Sequence, residues 1–586
     1  MHARAGDERC SVVVVPTDAA VDEATLWQVV RELRVEPWCL PGRLVVERGD
    51  HWTHENGALT ASLKLRRAEL AARYFEEAAD QHATDGLSMQ ARLRAMVGFA
   101  DADFDRTLAD LGGTSLQALE LAACLEDLAG QTVSPMAVLA QYTIRELLAM
   151  GDADGVAPAS AATTRKRDWN MVLQPPDTWL EFCASISGQQ LTDCSEQSCD
   201  LLVMGATGYL APFLVSDLLT LAPPNSVVHC IVRGSPDRFW AAVVDHGLEA
   251  RCPRDRIQVW TGNASQERWG LPADTWLQLA RRVRHVFYNA ARVHGVLPFE
   301  ALCAANTFGV VQAVRLAVTE TPKFLHLISS INVLPALGSV AELPLPVSAD
   351  DLESACARFD AMPGYAQSKA GLEIVAARAV AALPTHARPA GVTVFRPATL
   401  TSDVHGAVNV SCFTWRTLCG LAQLQYLPPP RNCPGALLLT PVDYASHAIA
   451  YIALQEPAAG VYHLCTPEPT LWDTLVAHLR AHGHPLRDTA TLAEWQAALA
   501  SNLLRDNPMF FFRDQIASQG LAAIDARAVP DTRRAVAALA GAALLPNPTP
   551  TPAHIHAQLV SLHVRGLLPA PAAESILVGW EGEEGG

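Results

Sequence analysis

The run LLVMGATGYLAPFLVSDLLT, residues 201–220, reads as a strand, a glycine loop and a helix in immediate succession. Residues 201–204 form a continuous apolar stretch, as in a strand buried on both faces. The spacing predicts a helix over 212–220. Gly205 allows the tight turn, and Gly208 lets a pyrophosphate approach the backbone. Ala211 stands where such loops place a last glycine and still permits close helix packing. A helix N-terminus offers amide donors and a positive dipole end to phosphate. Gly205, Thr207, Gly208, Tyr209 and Leu210 are therefore the expected cofactor-binding residues of this loop.

The segments downstream continue the pattern. A second strand, 227–232, ends in Arg233-Gly234. A site selective for NAD places a carboxylate there for the ribose hydroxyls; Arg233 instead offers a guanidinium fork for a 2′-phosphate, with Arg238 as a second candidate. The expected cofactor is NADPH. The plainer alternative is a surface arginine that closes a strand. The strand VFYNAA, 286–291, brings the small Ala290 beside the cofactor, and Asn306-Thr307-Phe308-Gly309 opens a further helix. Strand 324–328 ends in Ser329-Ser330. Tyr365 and Lys369 follow at a spacing of one helical turn and share a helix face. From there the lysine is expected to lower the phenol pKa and to bind the ribose. Ser330, Tyr365 and Lys369 are the expected catalytic set.

Composition sets the outer limits. The chain has 586 residues, enough for several domains. Its 44 Lys and Arg against 61 Asp and Glu give a net charge of −17, which argues against a nucleic-acid partner. Half the residues are hydrophobic and 18% are charged, so sizeable cores can form. No apolar run reaches the length of a membrane span, and residues 1–10 contain no secretory stretch. The 14 cysteines include no Cys-x-x-Cys pair, and Cys194 and Cys199 lie closest. Scattered thiols fit a reducing, cytoplasmic setting. The 19 histidines show no metal-ligand spacing. His229, His285, His294 and His326 read as core or surface residues, and no metal is expected.

Two polar zones, 80–86 and 151–167, divide the chain, the second reading as a flexible linker. Before the first lie a strand at 11–16, a helix at 22–33 and a short strand at 44–47. The pieces Asn56-Gly57, Leu59-Thr60 and Lys64-Leu65-Arg66-Arg67 resemble the C-terminal subdomain of adenylate-forming enzymes. The resemblance implies that Lys64 corresponds to the lysine that binds the acyl phosphate and carboxylate. No adenylating core precedes it in this sequence. Lys64 is then expected to have no nucleotide site of its own, the chain being the end of a longer enzyme or part of a split system. Between the zones, Phe104-x5-Asp110-Leu111-Gly112-Gly113-Thr114-Ser115-Leu116 resembles the carrier-protein signature. That resemblance implies 4′-phosphopantetheine on Ser115, at the start of a helix over 116–128 with apolar positions Leu116, Leu119, Ala123 and Leu128. Thr114 replaces the acidic residue usual before that serine. Without the signature, Thr114-Ser115 would read as an ordinary helix cap.

The third segment is similar to extended short-chain dehydrogenase/reductases, and within them to thioester reductase domains. GATGYL, IVRG, NAARVHGVLPFEAL (289–302), LISSINV (327–333), Phe395-Arg396-Pro397 and Pro441-Val442-Asp443-Tyr444 carry the likeness. The order of all three segments resembles the C-terminal half of a carboxylic acid reductase. At Gly262-Asn263 the family usually has Gly-Asp facing the adenine; Asn263 keeps the shape and an acceptor. Residues beyond about 471 match poorly and are expected to form the substrate-binding part.

The expected architecture is multidomain: an α+β adenylation-tail remnant (1–80), a four-helix carrier domain (87–150), a linker (151–175) and an α/β Rossmann-type reductase with a smaller C-terminal substrate subdomain (176–586). The resemblance implies NADPH-dependent release of a carrier-bound acyl thioester as an aldehyde, or onward to the alcohol. Its partners would be the acyl thioester, a phosphopantetheinyl transferase and a separate ligase if the system is split. The competing readings are a non-catalytic carrier or docking remnant and a sugar-nucleotide epimerase or dehydrogenase.

Overall fold

The computed structural model describes residues 11–14 and 43–46, parts of 107–151, and most of 167–187 and 200–569. The chain divides into two compact units, Met1–Ala161 and Ala162–Gly586. In the first, β1 (Ser11–Val14) pairs in parallel with β2 (Arg43–Val46), at the two strand positions expected from sequence. The expected helix at 22–33 lies outside the described residues. Ala118, Leu121, Ala122 and Leu125 are helical and buried, a stripe at helical spacing. The positions expected to be apolar there, 116, 119, 123 and 128, are not among the described ones. A helix α1 (Ile144–Gly151) closes this unit, with Ile144, Leu147 and Met150 buried.

The second unit is built on β3 (Asp200–Met204), α2 (Leu210–Leu221), β4 (Val228–Val232), α3 (Asp237–Asp245), β5 (Ile257–Thr261), α4 (Ala273–Arg282) and β6 (Val283–Tyr288). Next come α5 (Val310–Ala317), β7 (Phe324–Ile328), α6 (Gly364–Ala382) and β8 (Gly391–Pro397). Then follow β9 (Thr399–Thr401), α7 (Phe413–Leu424), β10 (Tyr426–Leu427), β11 (Ala436–Leu437), β12 (Leu439–Pro441), α8 (Val442–Leu454) and β13 (Ala459–Leu464). The chain continues through β14 (Thr470–Leu471), α9 (Trp472–Ala481), β15 (Arg487–Asp488), α10 (Leu492–Asn502) and α11 (Pro552–Val564). Seven parallel strands form one sheet in the order β13-β8-β7-β6-β3-β4-β5. The order reverses between β3 and β6, and in such sheets ligands bind beyond the strand C-termini at that point.

Side-chain alternation on β3 places the sheet between two cores. Leu202 and Met204 pack with Val286, Leu325, α5 and α6; Leu201 and Val203 pack with Val228, Phe287, α2 and α8. With both faces covered, the apolar runs are continuous, which is why these strands are legible in the sequence. Three boundaries differ from expectation. The linker expected to run to 175 ends earlier, because a short helix, Trp169–Val172, is held by Trp169 and Leu173 in the core that contains Leu202 and Met204. The first helix begins at Leu210, not 212, because the loop turns directly into it. The strand expected at 286–291 spans Val283–Tyr288, and residues 289–291 belong to the loop that follows.

The histidines behave as core residues. His229 lies 3.2 Å from the Asp200 carboxylate, which also accepts from Arg282 at 2.8 Å. His285 and His326 meet at 3.1 Å inside the sheet. A third core gathers Trp415, Leu421, Trp472, Trp495 and Leu559 around the pairs β10–β15 and β11–β14. It starts near Val408, well before the expected 471, because α8 and β13 return to the main sheet from within that region. Among the described residues, no helix is long and apolar enough to cross a membrane and no side-chain group is arranged to hold a metal.

Candidate active site

The glycine loop is fixed by its neighbours on both sides. Gly205 adopts φ +84°, and a Cβ there would fall 2.7 Å from the Ala290 Cα. Glycine is thus required twice, for the left-handed turn and for the close approach of the loop after β6. The Ile231 carbonyl accepts from the Gly205 and Ala206 amides at 3.0 and 3.1 Å. Gly208 is exposed and Thr207 half-buried, while Leu210 starts α2 with its side chain in the core, leaving its backbone for a ligand. An exposed glycine before the first turn of a twelve-residue helix is a cradle that fits a dinucleotide pyrophosphate. The Tyr209 side chain points elsewhere: its hydroxyl donates toward the carbonyls of Thr401 (3.0 Å) and Ala407 (2.8 Å).

Arg233 is exposed at the end of β4, and Arg238 Nη1 donates to its carbonyl at 2.8 Å. The structure thus brings the two arginines to one edge, around Gly234, whose carbonyl is held by Thr261 at 3.0 Å. The Asn263 amide oxygen is already engaged, accepting from the Ser265 amide (3.1 Å) and hydroxyl (2.7 Å). Asn263 therefore caps its own turn, where an acceptor turned to the ligand was expected.

Tyr365 and Lys369 both lie on α6, which packs against the short turn Ile331–Val333 that Ser330 caps. The Ser330 hydroxyl accepts from the Asn332 amide at 3.2 Å. Lys369 is buried, and its Nζ donates to the Ile328 carbonyl at 2.7 Å. Asn306, in the π-turn Ala304–Phe308, clamps the other side. It accepts from the Arg292 amide at 2.7 Å and donates to the Arg292 carbonyl and the Ser368 hydroxyl, both at 3.0 Å. The loop after β6 is thereby locked to the turn of α6 that carries Lys369.

The electrostatics correct one expectation. Burial pushes the Tyr365 phenol up to about 12, with no lowering contribution from Lys369. The Lys369 amine is itself brought down to about 8, by burial first and against the opposing charge of Glu373. A phenol so placed stays protonated at neutral pH and is a proton donor.

Sequence reasoning missed Glu373 and the part played by Ser329 and Arg396. Glu373 Oε1 accepts from Ser329 at 2.5 Å and from Arg396 Nε at 2.9 Å; its Oε2 accepts from Arg396 Nη2 at 2.6 Å. Arg396 is fully buried on β8, and its Nη1 reaches His463 at 3.2 Å. The signal that could have found Glu373, though not its two partners, is its place four residues after Lys369 on the same helix face. Ser115 and Lys64 lie outside the described residues.

Comparison with known proteins adds two domains. Residues 203–449 match the family described as male sterility protein, a nicotinamide-cofactor-binding domain, and residues 90–150 match the phosphopantetheine attachment site. A linear gramicidin synthase of Brevibacillus parabrevis is 30% identical over 51% of this chain and 6% of its own length. A carboxylic acid reductase of Mycobacterium marinum is 25% identical over 82% of this chain and 46% of its own. The chain thus spans less than half the length of either relative. The terminal R domain of the myxalamid PKS-NRPS pathway superposes with a TM-score of 0.55 at 28% identity, over 67% of this chain and 100% of that one.

Proposed function

We propose, from a phosphopantetheine-attachment domain and a nicotinamide-binding domain on one chain, that this protein releases a carrier-bound acyl thioester reductively as an aldehyde. The acyl group would arrive on the arm of Ser115, after a phosphopantetheinyl transferase has installed it. A reduced nicotinamide, when bound, supplies the hydride for the thioester carbon. The residues of the chain bind, orient and move the proton. The loop 205–210 would receive the pyrophosphate, and Arg233 with Arg238 the 2′-phosphate that distinguishes NADPH. Lys369 would hold the ribose. Ser330 would orient the acyl oxygen, and Tyr365 would give that oxygen its proton as negative charge develops. The resulting thiohemiacetal breaks its C–S bond to give aldehyde and free thiol. Hydride and proton together account for the two-electron reduction of the acyl carbon.

The observation that carries this reading is the proximity of Lys369 to the end of β7, one hydrogen bond from Ile328 and therefore beside Ser330, with Tyr365 one turn away on the same helix. A phenol held protonated suits the donor role. The third core, from about residue 408 onward, is assigned to the acyl substrate. Residues 1–80 are assigned as the tail of an adenylation domain with Lys64, and loading by a separate ligase is part of the proposal. The finer layout, a four-helix carrier at 87–150 followed by a linker and a reductase, belongs to the same reading, as does a cytoplasmic setting. The test is NADPH oxidation driven by an acyl-pantetheine or acyl-CoA thioester, with aldehyde trapped as product. Absence of thioester-dependent oxidation in protein that binds NADPH would overturn it.

A further inference from the structure

We propose that Glu373 is a positioning residue of the reducing site: its carboxylate, anchored by Arg396 and Ser329, is the counter-charge that keeps Lys369 an ammonium inside the protein. This rests on the role given to Lys369 above.

The geometry begins with spacing. Glu373 follows Lys369 by one turn of α6 and so shares its face. Its carboxylate is held by three donor atoms, Ser329 Oγ at 2.5 Å and Arg396 Nε and Nη2 at 2.9 and 2.6 Å. Those donors come from the residue after β7 and from β8, so the carboxylate cannot swing with its own helix alone. Ser329 is also the residue after Ile328, whose carbonyl accepts a hydrogen bond from Lys369 Nζ at 2.7 Å. One short segment, residues 328–329, therefore fixes both the cation and the anion.

The chemistry gives that arrangement a purpose. A buried ion pair such as Glu373–Arg396 contributes little to stability relative to apolar residues of the same volume. A buried lysine without a counter-charge sheds its proton, with pKa values of about 5–6 in the extreme. Lys369 is brought down only to about 8, and the charge that opposes its burial is that of Glu373. The other carboxylates near this point are engaged elsewhere: Glu342 accepts from the His463 and Arg534 amides at 3.0 and 2.6 Å, and Asp531 pairs with Arg533 at 2.7 Å. Tyr365 stays protonated on α6, and Arg396 on β8 is a cation. His463 on β13, which faces Arg396, is brought down to about 4 and is neutral, as is His326 within β7. His294, in the loop after β6, is likewise brought down to about 4, with Arg292 and Arg416 near it.

The experiment is nicotinamide binding measured by fluorescence between about pH 6 and pH 9, with NADH run beside NADPH to remove the titration of the 2′-phosphate. In the parent, affinity should weaken as pH rises through about 8, where Lys369 loses its proton. Glu373→Gln should move that midpoint down by about one pH unit or more. Ser329→Ala retains the charge and should leave the midpoint where it is. A structural role alone would weaken binding at every pH, or lower Tm, with an unmoved midpoint, and that result overturns the proposal. If Glu373→Gln is not recovered folded, the parent decides: a midpoint near 8 supports the counter-charge, and one near 6, that of an uncompensated lysine, overturns it. Tyr365→Phe turnover separates the two readings. Full turnover in that variant sinks the reductase mechanism, whereas lost turnover with an unmoved Glu373→Gln midpoint sinks the counter-charge alone.

Discussion

Lys369 donates from its ammonium to the carbonyl oxygen of Ile328 at 2.7 Å, across the gap between α6 and the end of β7. The bond ties the helix that bears Tyr365 to the strand that leads into Ser330. Its consequence is a rigid set of three side chains, in which each substitution should have a separable effect.

Tyr365→Phe keeps the ring and its packing and removes the proton. Thioester-driven NADPH oxidation should fall by about 10²–10⁴-fold while NADPH binding persists. Lys369→Ala should lower both turnover and cofactor affinity. Steady-state rates with a CoA thioester, beside fluorescence titrations, check both; a Tyr365→Phe enzyme within about threefold of the parent contradicts the proton-donor role.

The two adjacent serines should not replace one another. Ser329 is buried against Glu373, so it cannot stand in for Ser330. Ser330→Ala is expected to lower turnover by about 10²-fold, the cost of one oxyanion donor, with a stability loss of about 1 kcal/mol from the cap on the turn at 331–333. Ser329→Ala should instead cost about 1.5–3 kcal/mol of stability, from one hydrogen bond lost to a buried carboxylate that Arg396 alone then holds. Turnover and thermal unfolding of the two variants, measured side by side, give the answer; equal loss of rate in both would refute the division.

Cofactor choice is proposed to depend on the edge that Arg233 and Arg238 share. Loss of a charge-assisted contact is worth about 1.5–3 kcal/mol, or roughly tenfold to a hundredfold. Arg233→Ala should weaken NADPH by that factor and leave NADH almost unchanged. Parallel Kd measurements with the two nucleotides check it, and equal weakening of both would make Arg233 a structural residue.

Ser115 is expected to carry the arm. Incubation with CoA and a phosphopantetheinyl transferase should add one phosphopantetheine mass to the parent and none to Ser115→Ala. Intact-protein mass spectrometry reads the result directly, and added mass on the alanine variant rules the site out.

Much of the fold is legible in the sequence because two local signals coincide. Continuous apolar runs mark strands covered on both faces, and the bounds of β7 follow from its run to the residue. Gly205 is legible because a left-handed turn against Ala290 admits no Cβ. What escapes is long-range. The Ser329–Glu373–Arg396 cluster joins residues 44 and 23 positions apart, and no local period encodes that. The phenol pKa moves against expectation for a similar reason: spacing puts a cation near Tyr365, but burial, a property of the whole packed core, dominates the shift. The third core begins earlier than expected because α8 and β13 interrupt it in sequence and belong to the main sheet in space.

The Tyr209 hydroxyl, bonded to the carbonyls of Thr401 and Ala407, bears on how this protein can be rebuilt. The stretch it grips is held from behind by α11, where the Gln558 side chain accepts from the Ser402 amide at 2.8 Å and the His554 carbonyl accepts from the Ser402 hydroxyl at 3.0 Å. A chimaera that exchanges the C-terminal part for that of a relative therefore has no clean seam after β8. Exchanged without residues 399–408, a foreign helix at 552–564 would meet a mismatched loop, and the misfit would pass through Tyr209 into the nucleotide loop. Grafts intended to change acyl selectivity should carry both stretches together, and should be screened first for cofactor affinity.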